Sequence, residues 1–338
     1  MTTTAPPAHQ VGDFARLDRY VVDLRDAAPD LFIDAGKTDW KRLTWRGVKR
    51  PYRVERWAEE KRAWEVEHGR ALPVHEGWTR FNRHFHELFM TDVTVARAEA
   101  RRQAVRELLR GDVAGAWETL VELIQLGVWN KVHRVEDAVW DPRGKRALFE
   151  GLGLSRPRIL FLGAADGYEA MQLAAMYPGG HVTLVDYDDF CRTDRFGKFP
   201  ERYPFLGADP ATGGRRVWYR EEMPIDFEVA DIRDLSYGAE FDVVVSVGLV
   251  EHFPDEHKGE AFAWHRKFLK PGGWAILTTP RDQWRGRAFY SIMADWMNYG
   301  YRELMTVRQL GLYAWENGFD VVRAGVIKAH NGIVCRPR

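Results

Sequence analysis

The chain has 338 residues, 45% of them hydrophobic, enough for two domains of ordinary size or one domain with a large extension. Lys+Arg and Asp+Glu both number 49, so the net charge is zero at neutral pH and a general polyanion binder is excluded. The only cysteines, Cys191 and Cys335, stand in no metal or redox spacing, and no apolar run reaches the roughly 18 residues of a membrane span. Free thiols in a reducing cytoplasm are therefore expected.

The opening MTTTAPPAHQ lacks the basic flank and apolar core of a signal peptide, and residues 1–10 are expected to be a disordered tail. From Val11 to Asp30, Phe14, Leu17, Tyr20, Val21 and Leu24 recur at helical spacing, which predicts a first helix. Leu31 to Arg50 is irregular and reads as loop or short pieces. Further helices are predicted over Arg53 to His68 and over Glu76 to Phe89, where Trp78, Phe81, Phe85 and Phe89 are three and four apart. Thr91 to Leu109 reads as a helix capped by Thr91 and stopped by Gly111; Asp112 to Leu126 repeats the pattern with an aspartate cap and Gly127. Aromatics at helical spacing favour core packing over a substrate pocket, and a modest basic excess in this region reads as solvated helix surface.

Past residue 140 the pattern changes. A helix is expected near Arg143 to Leu152, and then Arg158 to Leu162 reads as a buried strand. Gly163 to Gly167, GAADG, is a turn with room only for backbone, and Tyr168 to Tyr177 resumes as a helix. Strand, tight turn and helix put backbone N–H groups at a helix N-terminus, where they hold an anionic or strongly polar group; this points to a nucleotide or nucleoside. The turn lacks G-x-G-x-x-G and G-x-x-x-x-G-K-[ST], which disfavours a dinucleotide and a phosphate loop. His181 to Asp186 is a second strand ending in a carboxylate, and an acid there binds both hydroxyls of a ribose. Phe190 to Arg220, with several Gly and Pro, reads as a surface excursion. A third strand over Phe227 to Ala230 precedes Asp231-Ile232, and a fourth over Phe241 to Val247 runs into Gly248-Leu-Val-Glu-His-Phe253. LKPGG leads into a fifth over Trp274 to Thr279. Arg281 to Gly300 is aromatic and expected at the active site; Thr306 to Asn317 reads as a helix ending at Gly318, and Phe319 to Val326 with Lys328 to Cys335 as a closing strand pair.

With GAADG, Asp186, Asp231, FDVVVSVGLVEHF and LKPGG in this order, roughly Pro142 to Arg338 resembles the class I S-adenosylmethionine-dependent methyltransferases. The resemblance implies an α/β fold: a seven-stranded, mostly parallel Rossmann-like sheet with helices on both faces, preceded by a mainly helical N-terminal lid. Residues 141–338 are then the catalytic domain and 11–140 the lid and substrate region. S-adenosylmethionine is the implied cofactor. Gly163, Ala164, Ala165, Asp166 and Gly167 take its methionine portion, Asp186 the ribose hydroxyls with Tyr187 beside it, and Asp231 and Ile232 the adenine. Ser246 and Val247 line the methyl donor's edge. In two places the chain departs from the pattern. Phe161 stands where many members carry an acid, and Ala165 where many carry a glycine, so the methionine end lacks an expected charged partner.

Methyl transfer from a sulfonium is an in-line displacement that positioning alone can promote, with no metal. His252, just past the fourth strand, is the candidate proton acceptor, with His330 a weaker one. Tyr168 is placed to offer an aromatic face to the sulfonium. Asn130, in the polar linker Trp129 to His133, is within reach of the cofactor's amino or carboxylate group and would partly replace the acid missing at Phe161. His75, His84 and His86 do not read as a metal site, since alternate helix positions point apart. These features together predict a cytoplasmic methyltransferase acting on a small molecule in specialised metabolism, its lid excluding water. One alternative is a cyclase that makes azetidine-2-carboxylate and methylthioadenosine from the cofactor itself. An RNA methyltransferase is another, disfavoured by the neutral charge and by Ser246-Val-Gly-Leu in place of [N/D]-P-P-[Y/F]. No membrane partner is expected, and the oligomeric state is not readable.

Overall fold

The structure is a computed structural model and describes residues 32–33, 35–132, 148–199, 201, 203, 205–327 and 329–338. The tail, the helix expected over Val11 to Asp30 and the first half of the one expected over Arg143 to Leu152 lie outside the described residues; Leu148 and Phe149 are helical and 150–152 are not.

Residues 35–50 form short turns, as their irregular sequence implies, including single helical turns at Trp40–Arg42 and Trp45–Val48. Helix α1, Glu59–His68, begins later than its spacing suggested. The reason is tertiary: Tyr52–Arg53 pairs antiparallel with Glu303–Leu304, and Val54 N donates to Arg302 O at 3.0 Å. Helices α2 (Val74–Met90), α3 (Val93–Leu109) and α4 (Val113–Val132) follow. Asp92 rather than Thr91 caps α3, its Oδ1 accepting from Thr94 N and Val95 N at 3.0 and 3.1 Å. A carboxylate also suits the positive end of the helix. Gly127 does not stop α4. An interior glycine costs about 1 kcal/mol, whereas burying a large apolar side chain contributes roughly 2 kcal/mol, and Leu126 just before the expected stop and Trp129 beyond it are both buried. Asn130 therefore lies in the last turn of a helix, not in a linker.

The second part of the chain alternates strands and helices: β1 (Arg158–Leu162), α5 (Tyr168–Met176), β2 (His181–Asp186), β3 (Ile225–Val229), β4 (Phe241–Val247) and α6 (Asp255–Phe268). Then come β5 (Leu269–Pro280), α7 (Trp284–Ile292), α8 (Val307–Glu316), β6 (Phe319–Ile327) and β7 (His330–Pro337). The sheet runs β6-β7-β5-β4-β1-β2-β3, with β7 antiparallel to both neighbours; Phe32–Ile33 adds a short antiparallel edge to β6. Both faces are covered, so β1 is apolar from Ile159 to Leu162 rather than alternating. Ile159 and Phe161 face a core shared with α2, α4 and α5, while Leu160 and Leu162 face the core of α6 and α8.

The stretch from 190 to 220 is not a loose excursion. It contains a π-helical segment, Cys191–Phe196, and a hairpin, Phe205–Ala208 with Arg215–Trp218. The hairpin lies on α5 so closely that a Cβ at Gly207 would fall 1.8 Å from Ala175 O, and Gln172 Nε2 donates to Leu206 O at 3.0 Å. Because β1 lies between β2 and β4, the strand order reverses there. That reversal opens a crevice at the carboxyl ends of β1 and β4, the place where open α/β sheets bind ligands.

Candidate active site

The turn after β1 is held in an unusual backbone conformation. Gly163, Ala165 and Gly167 all have positive φ (67, 50 and 75°). For Ala165 this region costs roughly 1–2 kcal/mol, offset by a hydrogen bond from its N–H to Asp186 Oδ2 at 3.1 Å. Asp186 Oδ1 accepts from Asp188 N at 3.2 Å. Burial pushes the Asp186 carboxyl above its ordinary range, against these two backbone donors. Each oxygen keeps one lone pair, the number that two ribose hydroxyls need. Asp166 Oδ1 accepts from Tyr168 N at 3.1 Å, and Arg195 Nη2 stands 3.6 Å from Asp166 Oδ2.

Asp231 begins the turn after β3. Its carboxylate takes both Nε and Nη2 of Arg233, at 2.9 and 2.7 Å, and this pairing holds it down to about 2. Ile232 follows in a single 3-10 turn. An imidazole of the protein occupies the space between Asp231 and Tyr187. His75 stacks on the Tyr187 ring with centroids 4.4 Å apart, and its Nε2 is 3.1 Å from Asp231 Oδ2. Tyr187 OH donates to His75 O at 2.9 Å.

Besides His75, the α2 residues Trp78 and Asn82 reach the strand ends. Trp78 packs against His252 with centroids 4.0 Å apart and ring planes tilted by 53°, and Asn82 Nδ2 donates to Asp188 Oδ2 at 3.1 Å while its Oδ1 accepts from Arg195 Nη1 at 2.7 Å. Their spacing of three and four residues puts them on one face of α2. Sequence reasoning followed the apolar stripe through Trp78 and Phe81 and missed this polar face, although its spacing was visible.

The side chains of Ser246 and Tyr168 turn away from their expected directions. Ser246 does not line the crevice with its side chain: it is fully buried, its hydroxyl 3.0 Å from His265 Nε2 on α6, while Val247 is half-buried. The Tyr168 ring is part of the core. It is 2% exposed and packs against Phe199, Tyr203 and Phe205, aromatics supplied by the segment that read as a surface excursion. Phe161, in the acid's place, belongs to the same apolar core. His330, the weaker acid–base candidate, is a strand residue with Nδ1 3.5 Å from Thr278 Oγ1. His252 does sit past β4: its Nδ1 donates to Tyr301 O at 2.8 Å, and the backbone of Gly248 lies beside the ring as a further hydrogen-bond partner. Burial, reinforced by Arg302, pushes its pKa well below the ordinary histidine value. Among the described residues no cluster of three or more His, Cys, Asp or Glu could hold a metal, and no helix is long and apolar enough to cross a membrane.

A parallel sheet whose order reverses at β1, with a small-residue turn there and carboxylates closing β2 and following β3, is the class I methyltransferase arrangement. Residues 133–324, more than half of the chain, match the family described as methyltransferase domain. The chain belongs to that family and is an S-adenosylmethionine-dependent methyltransferase. None of the curated proteins matches it in sequence. Similar solved structures include the 1,6-didemethyltoxoflavin N1-methyltransferase of Burkholderia thailandensis, 15% identical over 65% of this chain and 89% of that one, with a TM-score of 0.40. Human N-acetylserotonin methyltransferase is 15% identical over 72% of this chain and 66% of that one, with a TM-score of 0.42. An O-methyltransferase family protein from B. thailandensis is 15% identical over 76% and 71%, with a TM-score of 0.43.

The residues present fit this cofactor. His75 already shows that a nitrogen heteroaromatic ring can rest on Tyr187 with a nitrogen at Asp231. A Cβ at Gly163 would have only Leu249 Cδ1 within 4 Å, at 3.5 Å, and one at Gly248 only Glu251 Oε1, at 3.3 Å, among the described residues.

Proposed function

We propose that the protein methylates a small molecule beneath a lid formed by its helical N-terminal region, with residues 141–338 as the catalytic domain. The observation that carries this reading is the face of α2. His75, Trp78 and Asn82 contact residues at the ends of β2, β3 and β4, so an acceptor has to meet the methyl group under that helix. A covered crevice suits a compact acceptor and excludes water from a reactive sulfonium.

Bound S-adenosylmethionine supplies an electrophilic methyl on a positively charged sulfur. The turn from Gly163 to Gly167 would take its methionine portion, Asp186 the ribose hydroxyls, Tyr187 with Asp231 and Ile232 the adenine, and Val247 the edge nearest the methyl. Asn130, at the end of α4, is a further contact for the cofactor's polar end. His252 is held neutral, the form a proton acceptor needs, although the lowered pKa makes it a weak base. Most of the rate then comes from aligning nucleophile, methyl and sulfur.

The test is to incubate the protein with S-adenosylmethionine alone, with a panel of small phenols, amines and carboxylic acids, and with RNA, identifying the nucleoside released by mass spectrometry. S-adenosylhomocysteine formed only with a small molecule is expected. Methylthioadenosine and azetidine-2-carboxylate from the cofactor alone would replace this reading with the cyclase, and turnover on RNA alone would replace it with a nucleic-acid enzyme.

A further inference from the structure

Two buried groups of opposite charge lie close together beside this crevice without pairing. Glu251 is 0% exposed, and neither carboxylate oxygen has a hydrogen-bond partner. Its nearest ionisable contact is His252 Nε2, 3.7 Å from Oε1. Arg302 is 4% exposed: Nη1 donates to Tyr290 OH at 3.0 Å and Nη2 to Met297 O at 3.1 Å, but Nε is unpartnered. Among the described residues no carboxylate pairs with it; aromatic rings of Trp78, Phe81 and Tyr290 surround its guanidinium instead. Lys258, the other nearby cation, is already paired with Glu303 at 2.7 Å. A buried carboxyl and a buried guanidinium, each short of a partner, cost stability unless something else completes them.

The groups that face Glu251 are His252 beside it, Lys258 on α6, Arg302 and Glu303 before α8, and Tyr290 on α7. Burial outweighs the pull of Arg302 and Lys258 and pushes the carboxyl up to about 7. Glu251 Oε1 is also the one described atom within 4 Å of the missing Cβ of Gly248, so the carboxyl borders the backbone at the end of β4.

We propose that Glu251 and Arg302 clamp an α-amino acid zwitterion, its ammonium on the carboxylate and its carboxylate on the guanidinium, and that this zwitterion is the amino-acid end of the methyl donor. The inference rests on the reading of the crevice as a methyl-donor site. It also accounts for Phe161: the charged partner missing after β1 is supplied from the end of β4 instead. The same chemistry would fit a free amino acid as acceptor, and the two sources are separable.

S-adenosylhomocysteine and methylthioadenosine share the nucleoside and thioether, but only the first carries the amino acid. Calorimetric titration of the whole chain with each should show strong preference for S-adenosylhomocysteine. Glu251→Gln and Arg302→Met should each shrink that preference by about tenfold or more, as expected for a lost charge-assisted bond, with methylthioadenosine affinity unchanged. Near pH 7 the wild type should release protons on binding S-adenosylhomocysteine, seen by repeating the titration in buffers of different ionisation enthalpy; Glu251→Gln should not. If these variants do not fold, Glu251→Asp and Arg302→Lys are read on the same ratio. An unchanged ratio overturns the assignment to the methyl donor. If the variants instead lose binding of L-tryptophan to protein saturated with S-adenosylhomocysteine, the clamp serves an amino-acid acceptor; if they lose neither, there is no clamp. A wild type that binds neither nucleoside sinks the methyltransferase reading instead.

Discussion

His75 Nε2 stands 3.1 Å from Asp231 Oδ2 while its ring lies on Tyr187 at an interplanar angle of 14°. A side chain of α2 thereby fills the place assigned to the adenine, and Asp231, held down to about 2, stays an anion for it at any ordinary pH. A nucleoside entering this place has to displace the imidazole. Because the His75 side chain is 51% exposed, its contact is worth about 1 kcal/mol at most. His75→Ala is therefore expected to bind S-adenosylhomocysteine more tightly, by up to about fivefold, in calorimetric titration. Weaker binding would mean that His75 stacks on the adenine instead of competing with it.

Ser246 and His265 form a buried pair joining β4 to α6. His265 Nδ1 donates to Ala261 O at 2.7 Å, which leaves Nε2 to accept from the Ser246 hydroxyl. Burial pushes this histidine down to about 4, with the Ala261 bond opposing. The unfolded chain thus takes up the proton first as pH falls. The stabilisation is complete above the ordinary histidine value near 6.5 and is lost between there and about 4. The loss over that window is on the order of 3 kcal/mol. Urea midpoints measured at pH 5 and 7.5 should differ less in His265→Gln than in the wild type; equal differences would show that His265 does not set the acid limit.

Trp40 rests on α8 at Gly311, where a Cβ would fall 2.2 Å from two atoms of the indole. Gly311→Ala is expected to destabilise the fold by about 1–3 kcal/mol, the usual cost of overpacking. Combining it with Trp40→Ala should cost less than the sum of the two changes, because the clash disappears with the ring. Additive thermal shifts would show that the contact is not formed.

The boundaries of β1, β2 and β4 were legible to the residue, because strands buried on both faces carry continuous apolar runs that end where polar chemistry begins. The hairpin over 205–218 was not, since Gly207 and the glycines around it read as loop; only the close approach to Ala175 explains why a glycine stands there. Gly127 misled for the opposite reason. A local stop signal worth about 1 kcal/mol yields to the burial of Leu126 and Trp129.

By itself the sequence determined the order of strands and helices, the methyltransferase class and the positions of GAADG, Asp186 and Asp231, because each depends on residues close together along the chain. Which side chains surround the crevice was decided only by tertiary structure. His75 and Asp231, or Glu251 and Arg302, are far apart in sequence, and no periodicity relates them. Tyr168 and Ser246 show the same limit: both stand at the expected positions beside the site, yet packing turns one into an aromatic core and the other toward His265. Position along a strand or helix is a local property, whereas the direction a side chain takes depends on what packs against it.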